Sequence, residues 1–125
     1  MATSIVINAP VTGTLTTTAL TQAVAAPTAG SQLVVTGLEL CNTDQTALGV
    51  VALFAGSTQV GNSIELPPAP HNPVFVLIEV AGIPLGDAVA CKLQSTTNTT
   101  GINYCVRTRT QPTTMQSAAQ AWTGY

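Results

Sequence analysis

The side chains able to do chemistry are few and scattered. The chain has one histidine, His71, and two aspartates, Asp44 and Asp87. Nucleophilic hydrolysis needs a nucleophile, a base and an orienting acid brought together. His71 sits in a proline-rich stretch with no Cys, Asp or Glu beside it, and reads as a loop residue. Asp44 and Asp87 fall in turn-like stretches, where a carboxylate bonds its own neighbouring backbone. Glu39, Glu65 and Glu79 lie on or near strands, separated by apolar residues, whereas paired-carboxylate catalysis needs two acids to converge. Surface ion pairs with Arg107 or Arg109 are the expected use. Cys41, Cys91 and Cys105 make an odd count without a CxxC spacing, which argues against a disulfide framework or a zinc site. No GxGxxG, Walker or HExxH motif occurs. The sequence therefore predicts a protein that is not an enzyme, with no catalytic residue, cofactor or metal ligand.

The elements that would have to position any site are built from an unusual composition. Hydrophobic residues make up 46% of the 125-residue chain, but charged residues only 6%, against roughly 25% in a typical soluble domain. Threonine, alanine, serine, asparagine and glutamine take the place of the missing charge, and threonine favours strands through its branched Cβ. A monomer bathed in water usually carries many Lys and Glu to stay soluble and to blunt strand edges. This chain has one lysine, Lys92, and two arginines. Much of its surface is therefore expected to be covered, by copies of itself or by another protein. A net charge of −2 offers no basic patch for nucleic acid or an anionic membrane. No apolar run approaches the ~18 residues of a membrane span. The first residues carry no positive charge and no signal-peptide layout, so a product made in the cytoplasm is expected.

Length allows one domain. Residues 1–31 read as an N-terminal arm or edge strands. Short strands are expected at 4–8 and 15–20, and a helical turn or extended arm at 21–26. Residues 32–111 read as the core, with strands at 33–41, 47–55, 59–66, 74–80, 87–94 and 102–109. Leu38 and Leu40 share one face of the first, Glu39 and Cys41 the other. The run Val74-Phe75-Val76-Leu77-Ile78-Glu79-Val80 has the apolar continuity of a buried central strand. Before it, Pro67, Pro68, Pro70 and Pro73 make a stiff loop that cannot pair inside a sheet. The strands at 87–94 and 102–109 are expected to form a hairpin, with Cys91 inward and Cys105 outward and hence unbridged. Residues 112–125 form a C-terminal tail that carries the only tryptophan. The fold expected is all-β: a single antiparallel β-sandwich or jelly-roll-like domain of about seven or eight strands, with extended N- and C-terminal arms.

This layout resembles one family. Residues 32–109 combine an early strand closing in an Asn/Asp turn (Leu38-Glu39-Leu40-Cys41-Asn42-Thr43-Asp44) with an apolar strand (Val50-Val51-Ala52-Leu53-Phe54). An Ile/Leu-Pro loop follows, then the run Ile83-Pro84-Leu85-Gly86-Asp87, which leads into a last hairpin with a Ser95-Thr96-Thr97-Asn98 loop. In this the chain is similar to the small β-sandwich structural proteins of tailed bacteriophage particles. The resemblance implies a capsid decoration (cement) protein that binds across subunits of the major capsid protein, commonly as a homotrimer, located in the virion. A head–tail junction, collar, tail or fibre component is the alternative, and a non-catalytic ligand-binding module the third reading. No site residue transfers, because the family has no fixed motif. Interface candidates come from this chain's own residues: Phe75 and Leu77, if they face outward; His71 in the proline loop; and Met115, Trp122 and Tyr125, as anchors in the tail.

Overall fold

The computed structural model describes residues 5–68, 74–96 and 101–114, and these form two antiparallel sheets packed face to face. The strands are β1 (Val6–Ile7), β2 (Val11–Leu15), β3 (Thr21–Val24), β4 (Ser31–Asn42), β5 (Gly49–Ala55), β6 (Thr58–Leu66), β7 (Val74–Asp87), β8 (Cys91–Ser95) and β9 (Ile102–Pro112). The first sheet has the order β1-β9-β4-β7, with β2 also on β9, and the second has β3-β8-β5-β6. Four of the pairings have a simple logic: β2 with β9, β3 with β8, β4 with β7, β5 with β6. The chain is in effect one long antiparallel hairpin, turning at β5–β6, that has rolled up. Rolling then adds the pairings β4–β9 and β5–β8. That is the topology of a jelly roll, a two-sheet sandwich made of Greek keys.

The roll explains why, apart from β1–β2 and the turn at β5–β6, successive strands alternate between sheets, and it overturns one expectation. β8 and β9 are not a hairpin: β8 pairs β3 and β5, while β9 pairs β1, β2 and β4. A polar Ser/Thr/Asn stretch marks a turn, but nothing in it tells a hairpin from a crossing between sheets. The true two-residue hairpin is Gly56-Ser57, where Ala55 pairs Thr58. Gly56 takes φ +62° there, at the first turn position, where such hairpins favour glycine.

The core is the apolar filling between the sheets. Leu33, Val35, Leu38, Leu40 and Val106 come from the first sheet and Val51, Leu53, Cys91 and Leu93 from the second; all are buried. β4 shows how sequence pattern and fold agree only through an irregularity. Leu33 and Val35 occupy odd positions, Leu38 and Leu40 even ones. Simple alternation would put one pair in water. A bulge between Val35 and Gly37, seen against both β7 and β9, restores all four to the core.

The N-terminal third is strand, not helix. β2 and β3 lie in opposite sheets; of the helical turn or extended arm expected at 21–26 the structure has extended backbone, paired as a strand at Thr21–Val24, and the strand expected at 15–20 lies earlier, at Val11–Leu15. Alternating Thr and small residues carry too little helix preference to resist pairing with β8.

β7 is the larger correction. It was expected to be a buried central strand ending at residue 80. It runs to Asp87 and, among the described residues, pairs only with β4, at the edge of its sheet. Its register breaks in the middle: Val35 pairs Ile83 and Gly37 pairs Ile78, so residues 79–82 stand opposite Thr36 alone. An apolar run reports burial, which an edge strand of a sandwich can satisfy on its inner face. It does not report how many neighbours the strand has. Pro84, read as part of a turn, sits within β7, where an edge position tolerates a residue with no N–H.

Candidate functional site

Each described acid whose hydrogen bonds are resolved serves the fold. Asp44 is buried at the β4–β5 corner, as a turn carboxylate should be. Its Oδ1 accepts from the backbone N–H of Thr46 and of Ala47, both at 2.8 Å. Asn42, read from sequence only as part of an Asn/Asp turn, completes the corner. Its Oδ1 accepts from Asp44 N–H at 2.9 Å. Its Nδ2 donates to the carbonyls of Ala47, Leu66 and Pro67 at 2.9, 3.1 and 3.2 Å. One amide thus ties the end of β4 to the end of β6. Asp87 is a clasp at the opposite end. Its Oδ1 accepts from Gly30 N–H and from the Thr113 hydroxyl, both at 2.7 Å.

Glu39 lies on the outer face of the first sheet and pairs with Arg107 at 2.9 Å, as expected of a surface ion pair. Both side chains are about half exposed, at 46% and 48%, so the pair contributes little. Arg109 does more. Its Nη2 donates to the carbonyl of Ala81 at 2.7 Å and its Nε to Gln111 Oε1 at 3.0 Å. It thereby reaches from β9 across β4 to hold the irregular part of β7. Gly82 lies beside it with φ +83°, and a Cβ there would strike the Val34 side chain. This explains why Val34, which alternation directs outward, is buried.

The three cysteines are free. Cys91 is in the core, where burial pushes its thiol up to about 12. Cys41 and Cys105 are half-buried. Together with Glu39, Leu40, Asn103 and Tyr104 they line a shallow depression of about 160 Å³. Arg107 Nη1 also donates to Cys105 Sγ at 3.4 Å. The depression offers two soft thiols beside one satisfied ion pair. It brings together no base and nucleophile, and no group of three His, Cys, Asp or Glu side chains that could hold a metal occurs among the described residues.

The exposed apolar surface is more informative than any polar cluster. Ile5, Val6 and Ile7 are 48%, 54% and 77% exposed, although they are consecutive, bulky and ordered. They are ordered because β1 pairs with Thr110 and Arg109 of β9 and because Asn8 clamps the segment. Asn8 Nδ2 lies 3.0 Å from the hydroxyl oxygens of both Thr108 and Thr110, and its N–H donates to the Thr108 carbonyl at 3.1 Å. Sequence reading saw a short strand here without seeing that it would be left uncovered; three β-branched residues in a row were the signal.

Of the interface candidates, Leu77 pairs with Leu38, is half-buried and packs against the core, so it does not face outward. Phe75 pairs with Leu40 in the same ladder. His71, Met115, Trp122 and Tyr125 lie outside the described residues. No helix among the described residues is long and apolar enough to cross a membrane.

Fold and surface together define a class: an all-β sandwich with jelly-roll topology whose notable surface is apolar strand edge. No known family model matches the chain, and no curated protein is significantly similar to it.

Proposed function

We propose that the protein is a structural component of a virus particle, a capsid decoration (cement) protein that binds across subunits of a phage major capsid protein. The observation that carries this reading is the jelly-roll topology combined with 6% charged residues and uncovered apolar edge. Jelly rolls occur in viral capsid domains and also in lectins, so the fold by itself supports the reading only by analogy. The surface adds a physical reason. A patch of small, weakly polar residues loses little hydration on docking, and apolar burial contributes about 25 cal/mol per Å² before ordering costs. Many symmetric copies then sum to a clamp on the lattice. The protein would be made in the host cytoplasm and end in the virion, as a homotrimer or another small closed oligomer.

A head–tail junction, collar or tail role is the second reading. The observation favouring it is that the two edges of the first sheet, which no described strand covers, lie on opposite sides of it, an arrangement suited to a ring. A carbohydrate-binding module would usually present exposed aromatics, and the chain has five aromatic residues in all. Gold-labelled antibody to the chain, imaged on purified particles, tests the function. Label covering the whole head, with copy number tracking the major capsid protein, is the expected result. Label at one vertex gives the junction reading, and particles free of the chain refute both.

A further inference from the structure

We infer that β1 is a docking strand for a second copy of this chain, and that it adds to the free edge of β7, so that the first sheet continues head to tail from one subunit into the next. The inference stands whether or not the assembly belongs to a virion.

Three observations lead to it. First, Ile5, Val6 and Ile7 are held on β9 by Asn8 yet remain half or more exposed. A clamp that orders three bulky apolar residues in water is costly unless something covers them. Second, β1 and β7 are opposite ends of one sheet, and neither edge carries a basic side chain. No residue before Glu39 carries a charged side chain. β7 spans 14 residues without a Lys or Arg, and its only acids are Glu79 and Asp87. Pairing the two edges therefore brings no like charges together. Third, the second sheet has, among the described residues, no edge as apolar. β6 is largely exposed and mostly polar, and half of the four residues of β3 are polar. The apolar strand and the apolar edge able to receive it are thus both on the first sheet, one at each end.

A contact between two different edges is heterologous. It closes into a ring if the rotation per subunit allows, and otherwise grows as a chain. Because β1 has only two paired residues, each contact is small, and the dilution series below starts at high concentration so that a single contact is populated.

The experiment uses the full-length chain and two edge-blocked variants, Ile7→Lys and Ile78→Lys, with native mass read by sedimentation over a dilution series. Wild type is expected to be a multimer. Each variant alone should fall to the 12.7 kDa monomer, with unchanged circular dichroism. Mixed together they should form a 1:1 dimer and nothing larger, because one intact β1 and one intact β7 remain. If Ile78→Lys loses its fold, Val76→Lys takes its place. A monomeric wild type overturns the inference. So does a multimer that survives Ile7→Lys, which would indicate β7–β7 pairing, or one that survives Ile78→Lys, which would indicate β1–β1 pairing. A mixture that stays monomeric overturns it as well.

Discussion

The outer edges of the two sheets differ most in polarity. β6, at the edge of the second sheet, alternates exposed polar residues with half-buried Val60 and Ile64. It kinks at Gly61, and Gln59 Nε2 donates to the Gly61 carbonyl at 3.2 Å. Short, bulged, polar edges are how soluble sheets avoid pairing with strangers. The first sheet has the longest strand of the chain at one edge and Ile5-Val6-Ile7 at the other, with no lysine on either. The same chain thus gives its two sheets edges of different polarity. On the inference drawn above, association is a property of strand edges, and the first sheet is the one that would supply it.

The comparison can be broken at the residues that fix each edge. The largest effect is expected at Asn42, which anchors the end of β6. Asn42→Ala leaves three carbonyls and the Asp44 N–H without their partner, at a cost of about 3 kcal/mol. Urea denaturation should show it as a lower midpoint with unchanged slope. Gly82→Ala attacks the other edge. It forces an L residue to φ +83° and drives a Cβ into Val34, costing about 2–3 kcal/mol. Thermal melting measures the loss, and the association of the first sheet should weaken with it, because the break in β7 is what Gly82 permits.

Thiol chemistry separates the sheets next. Cys41 and Cys105 sit at the outer depression, Cys91 in the core. An alkylating reagent should modify the first two in the native protein and Cys91 only after unfolding. Burial raises the Cys91 thiol from 9.0 to about 12. The unfolded chain therefore ionises first, and stability should be level below pH 9 and fall between 9 and 12. In Cys91→Ala that slope should flatten. The smallest effect is expected at Glu39→Gln, which removes a half-exposed ion pair worth at most about 1 kcal/mol. Raising the salt concentration should shrink even that.

Much of the fold was legible because it follows from local pattern. Strands at β4, β5, β6, β8 and β9 announce themselves by alternation and by turn residues such as Asn42, Asp44 and Gly56. The inward set Leu38, Leu40, Cys91, Leu93, Ile102 and Val106 is read from the period of two alone. Partnership was not legible. Residues 74–80 look central because they are apolar, and the stretch at 95–101 looks like a hairpin turn because it is polar. Neighbours in a rolled sandwich are set by the whole chain. Asp44 was read correctly as a turn group and Glu39 as half of a surface ion pair; Asp87, read as a turn residue, instead ends β7 and accepts from Gly30 and Thr113, far away in sequence. Asn42 was read only as a turn residue and Arg109 only as a surface ion-pair partner, because their further work is done on carbonyls far away in sequence. The exposed β1 was missed because exposure is decided by what fails to pack on it.

The most direct test of the central claim is amide hydrogen exchange of the wild-type chain followed across a concentration series. The account predicts that amides of residues 5–8 and 74–80 gain protection as concentration rises, while those of β6 at 58–66 do not change. Protection that rises along β6 instead, or exchange that is the same at every concentration on both sheets, would contradict it.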